Sequence, residues 1–283
     1  MRQKKLLFAL LGLAALGLAG CNQLKARDSL NNGVRAFRET NYATAVDFFQ
    51  QALELDPEVP NAELYLALAY SQQFIPGAFG EENQRFAEQA IETFESVLAK
   101  EPNNATALAG MATIYQNTGQ LDQAREYYVR RAEVASDDPE AHYAIGSINW
   151  HIVTSRAPAL SGLADPAAPL PTARNRRPTP EELAAEEAVA AQAAAEREEL
   201  ATLIEEGQQH LDRSLELNPN YEDAMTFKNL LYRQSAELIP VDAEGAEERK
   251  AELVAMADDW FNRALETRQR NAERAAAGLV GVE

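Results

Sequence analysis

Catalysis near neutral pH draws first on histidine, cysteine and paired carboxylates, and this chain of 283 residues supplies three histidines, one cysteine and 44 carboxylates. His142, His151 and His210 share no His-Glu-x-x-His spacing, and neither a phosphate-cradling glycine loop nor a nucleophile elbow occurs. A metal joining His151 and His210 to a carboxylate is the weak alternative; the expectation is no metal, no cofactor and no enzyme activity. Glutamate pairs such as Glu181-Glu182 and Glu205-Glu206 read as solvated helix faces. Cys21 has no second thiol to pair with, which removes disulfide chemistry. The residue types point to binding.

The formal charge of −18 narrows what is bound. A strongly acidic body is repelled by phosphate backbones and by anionic bilayers, so nucleic acid is not expected as a partner and no small-molecule substrate is indicated.

The first residues carry a separate message. Arg2, Lys4 and Lys5 precede an apolar run from Leu6 to Leu18, too short to span a bilayer comfortably. The run ends in Leu18-Ala19-Gly20-Cys21, which resembles a bacterial lipobox. That resemblance implies diacylglycerol on the Cys21 thiol, removal of 1–20 as a signal peptide, and a lipidated tether over 21–25. Losing the three basic residues would take the formal charge from −18 to −21. Attachment to a bilayer would then rest on the lipid and not on a basic surface. Asn22 after the cysteine favours, by the same resemblance, the outer membrane facing the periplasm.

The elements that would position any binding residue are helices with a recurring stripe. Ala45, Phe49 and Ala52 fall on one helix face, and Asp56-Pro57 ends that helix. The pattern returns at Ala90, Phe94, Val97; at Ala124, Tyr128; at Gly207, Leu211, Ser214; and at Ala257, Phe261, Ala264, with 34 residues from Ala90 to Ala124. Ahead of each stripe comes a second helical pattern: Gly33 and Phe37, Ala67 and Tyr70, Ala112 and Tyr115, Gly146 and Trp150, and Tyr232 alone in the last copy. A helix with a small–aromatic–small stripe cannot bury that face alone, so neighbours must stack.

The chain thus resembles the tetratricopeptide repeat. The resemblance implies an all-α fold, a right-handed α-solenoid of about five helix-turn-helix repeats over 26–59, 60–104, 105–138, 139–221 and 222–273, followed by a tail over 274–283. Insertions separate helices A and B in repeats two, four and five. In repeat two the extra segment carries Phe74, Ile75 and Phe79 among helix breakers. In repeat four a proline-rich stretch over 157–180 carries Arg174, Arg176 and Arg177, followed by a long helix over about 180–217 that Thr179-Pro180-Glu181-Glu182 would cap. These insertions share one edge of the array, a candidate contact edge.

The A helices of such solenoids line a groove. The candidate groove residues are Phe37, Arg38, Leu68, Gln72, Gln116, Asn117, Tyr143, Trp150, His151 and Arg233. On the fourth A helix, Ala141, Ile145 and Ile148 form the opposite stripe and would supply core. The functional expectation is a lipid-anchored periplasmic scaffold that holds a protein or peptide partner. The alternatives are an accessory lipoprotein of β-barrel, pilus or secretin assembly, and, with less to support it, an envelope hydrolase or glycan-binding subunit.

Overall fold

Proline, glycine and capping side chains set where the helices begin and end. The computed structural model describes residues 22–163, 179–240 and 243–277, and among them the chain is helical with no strand. Helix α1 covers 22–38, then come α2 Tyr42–Leu55, α3 Ala62–Gln73, α4 Glu81–Lys100, α5 Ala105–Asn117, α6 Leu121–Val134, α7 Pro139–Leu163, α8 Pro180–Leu217, α9 Glu222–Leu238 and α10 Ala246–Ala276. Asn104 caps α5 by accepting from the Ala107 amide, and α8 starts with a full capping box in which Thr179 and Glu182 each accept the other's backbone N–H. Such a cap typically contributes about 1 kcal/mol.

The chain divides into two compact units, Met1–Arg131 and Ala132–Glu283. In the first, the small–aromatic–small stripes are core: Ala45, Phe49, Ala52, Ala90, Phe94 and Ala124 are fully buried, with Val97 and Tyr128 nearly so. The mechanism is close approach. A Cβ on Gly33 would lie 2.5 Å from the Phe49 ring, and one on Gly110 would lie 2.2 Å from Phe94. The rings therefore occupy the space that side chains on the facing helices would need. Tyr65 stacks on Phe49 at 5.6 Å and Tyr115 on Tyr127 at 5.6 Å, which fills the remaining gaps.

The second unit is built on α7 to α10. Leu211 of α8 packs where Gly146 of α7 lacks a side chain, and Ala141, Ile145 and Ile148 are fully buried. Asn149, also fully buried, donates to the Leu203 carbonyl and to Glu206, so Glu206 is a hydrogen-bond acceptor for the core and not merely part of a solvated face. Lys228, only 2% exposed, pairs with Asp212 and lies 4.7 Å over the Trp260 ring. Arg156 of α7 pins the middle of α8 through Glu196 and Glu199. N-terminal to Ala193, α8 is nearly all exposed, consistent with its alanine and glutamate content.

Two stretches depart from the sequence expectation. Helix α7 runs on to Leu163 with Pro158 inside it, so residues 157–163 are helix and not extended loop. The cause is burial: Leu160 packs into the core beside Leu200 and Val153, which outweighs the proline's lost hydrogen bond. The other is Phe261 of the fifth stripe, 46% exposed where its counterparts Phe49, Phe94, Tyr128 and Leu211 are buried. Phe49, for example, lies against Gly33 of α1 and Tyr65 of α3, whereas among the described residues no further A helix follows α10.

Candidate binding surfaces

Helices α7 and α9 bring five aromatic rings together in the second unit. Tyr143 packs on Tyr221 at 5.0 Å and presents an edge to Phe227 at 5.6 Å, while Trp150 meets Phe227 at 5.6 Å and His151 at 4.9 Å. All five are half-buried. The helix period explains the grouping: Tyr143 and Trp150 are two turns apart on α7, and Phe227 of α9 lies against both. Burial holds the His151 imidazole below its usual value, so it is neutral at physiological pH. Burial, reinforced by the nearby Glu140, pushes the Tyr221 phenol up, so it stays protonated. The result is an uncharged aromatic face on an acidic protein, suited to apolar or aromatic side chains of a partner. Tyr221 and Phe227 are absent from the sequence-based groove, which takes only Arg233 from α9; Tyr221 is the N-cap of that helix and Phe227 lies on it.

The other groove residues have contacts of their own. Phe37 packs edge-on to Tyr42 at 5.2 Å and Leu68 is half-buried against the first unit's core. Gln116 accepts from the Tyr128 hydroxyl at 2.7 Å, which commits its amide oxygen to holding α5 on α6. Arg38, Gln72 and Asn117 are exposed. Arg233 donates to Asn229 and pairs with Asp258 at 2.7 Å, tying α9 to α10.

On the insertion between α3 and α4, Asn83 pins the turn by accepting from the Ile75 amide and donating to the Ile75 and Ala78 carbonyls, at 2.8–3.0 Å. Gly77 and Gly80 take the positive φ angles, +76° and +139°, that the bend requires. Phe74 tucks back onto the core, whereas Ile75 is 63% and Phe79 103% exposed. A pinned loop thus displays two apolar side chains to solvent. Cys21, Arg174, Arg176 and Arg177 lie outside the described residues.

The histidines pair differently from the weak metal alternative. His210 meets His142, Nδ1 to Nδ1 at 2.9 Å, and not His151. His142 Nε2 faces the Ser136 carbonyl at 3.0 Å, so it carries a proton there, and His142 Nδ1 accepts from His210. Among the described residues no three His, Cys, Asp or Glu side chains are grouped to hold a metal. No helix among them is long and apolar enough to cross a membrane.

Comparison with known proteins agrees with this geometry. Residues 86–148 match the tetratricopeptide repeat family, about a fifth of the chain. No curated protein matches the sequence. Among solved structures, MamA 41-end from Desulfovibrio magneticus RS-1 is similar at 13% identity and TM-score 0.50, over 87% of this chain and 96% of that one. A second MamA structure gives 13% and 0.50 over 88% and 94%. A thermophilic tetratricopeptide-repeat protein from Thermus thermophilus aligns at 16% identity over 89% and 99% with TM-score 0.38. Likeness at such identity concerns fold alone. In fold the chain is an all-α helical-repeat scaffold of tetratricopeptide type, a class whose members bind other proteins.

Proposed function

We propose that this protein is a lipid-anchored scaffold of the cell envelope, tethered through Cys21 at the outer membrane, that holds a partner protein in the periplasm. The Leu18-Ala19-Gly20-Cys21 sequence after a charged and apolar leader supports the anchor. The observation that carries the binding role is the half-exposed aromatic face of Tyr143, Trp150, His151, Tyr221 and Phe227. Aromatic anchors of this kind dominate protein interfaces, at about 2 kcal/mol or more for each hot-spot residue. Partner contact at the pinned loop of Ile75 and Phe79 is a second reading, favoured by the full exposure of Phe79.

The test is crosslinking and affinity capture from intact envelopes with the full-length chain. Trp150→Ala should sharply reduce recovery of the native partner while lowering the thermal midpoint by a few degrees at most. Undiminished capture by the folded variant retires the aromatic face, and a parallel loss with Phe79→Ala would move the contact to the loop. For the anchor, Cys21→Ser should abolish lipid labelling and change the mature mass; an unchanged mass in the membrane fraction would refute it.

A further inference from the structure

The fifth stripe leaves a helix flank uncovered. Val254, Phe261 and Leu265 lie seven and four residues apart, on one side of α10, and are 37%, 46% and 47% exposed. The inner face is engaged: Ala257, Ala264 and Thr267 are buried against α9, with Trp260 under Lys228, while the far flank is largely polar, with Met256 41% exposed among Glu252, Asp259 and Arg263. Phe261 occupies the stripe position that Phe49 holds against α1 and α3, so the exposed flank is built to receive a helix.

The charge pattern of α10 indicates which helix. From Glu247 to Asp259 it carries five acidic and two basic residues; from Trp260 to Arg274 it carries four basic and two acidic ones. Phe261 stands near the crossover. A second α10 laid antiparallel on this flank would set Val254 opposite Leu265, the two Phe261 rings near the two-fold axis, and each acidic half beside a basic half. Their helix dipoles would also oppose favourably. Three ion pairs already touch this helix, Arg233–Asp258, Arg268–Glu222 and Arg263–Asp259, all solvent-accessible and therefore cheap to rearrange. A foreign helix would have to reproduce the same polarity; a second copy has it by symmetry.

We infer that this chain self-associates as a two-fold dimer through the Val254–Phe261–Leu265 flank of α10, packed antiparallel against the same flank of a second copy. The pairing leaves the aromatic face of α7 and α9 out of the contact and does not depend on the partner-binding role.

Two differently tagged full-length copies, co-expressed and solubilised in detergent, test the pairing. The second copy should be recovered with the first, and Phe261→Glu with Leu265→Glu should cut that recovery at least tenfold without lowering the thermal midpoint, since both side chains are exposed. Geometry is read by disulfide formation under mild oxidation. Val254→Cys in one copy and Leu265→Cys in the other should crosslink well above the parent chain. Val254→Cys in both copies should not, because an antiparallel pair separates those positions by about 16 Å. Absence of co-recovery, recovery unchanged by the glutamates, or the reverse crosslinking pattern overturns the inference. A flank covered by the chain's own tail or by a foreign protein would give the first of these results.

Discussion

Adding one methyl group at Gly110 tests the close-packing argument on which the repeat stack rests. A Cβ there would stand 2.2 Å from Phe94 Cζ and 2.6–2.7 Å from both Cε atoms, and the ring is fully buried with no solvent to swing into. Overpacking of this kind costs about 1–3 kcal/mol. Against it, alanine in the middle of α5 gains about 0.5–1 kcal/mol of helix stability over glycine. Gly110→Ala should therefore destabilise by about 0.5–2 kcal/mol, read as a lower urea midpoint by circular dichroism at unchanged slope. Phe94→Leu removes the atoms the new methyl would strike, at the cost of a cavity. In that background Gly110→Ala should become neutral or stabilising, a coupling of about 1 kcal/mol or more between the two sites. If the two substitutions add within about 0.5 kcal/mol, the ring does not occupy the glycine's space and the account of repeat contact is wrong.

Two further predictions concern buried charge and pH. Asp212→Ala leaves the nearly buried Lys228 ammonium with the Trp260 and Tyr232 ring faces but no carboxylate, so it should destabilise by up to about 3 kcal/mol, whereas Lys228→Met, which removes the charge and keeps the volume, should cost distinctly less in thermal or urea unfolding. Because burial depresses the His151 pKa below 6.5, the unfolded chain binds more protons in the window just under that value. Stability from this group is present above pH 6.5 and falls as pH drops through the folded-state value; His151→Gln should flatten that slope, and an NMR titration midpoint above 6.5 would contradict the burial argument.

What could be read from residue order was whatever one helix decides by itself. Ala45, Phe49 and Ala52, or Ala90, Phe94 and Val97, share a face because of the 3.6-residue period, and a small–aromatic stripe is useless unless another helix covers it. The start of α8 was legible for the same reason: Thr179, Pro180 and Glu182 satisfy the first turn locally, needing no distant contact. The Ala141–Ile145–Ile148 stripe likewise announced its burial, leaving Trp150 on another side of α7.

Everything that depended on a second element was decided by the tertiary structure. Lys228 is buried because Asp212 of α8 and Trp260 of α10, both distant in sequence, close over it. Gln116 read as a groove amide, but Tyr128 occupies its oxygen. His210 found His142, 68 residues away, through the packing of α7 on α8. Pro158 argues locally for a break, yet Leu160 gains more from the core than the proline loses. Phe261 carries the same spacing as Phe49, but a stripe specifies only that a face is ready to be covered, and whether a helix arrives to cover it is a property of the assembled chain.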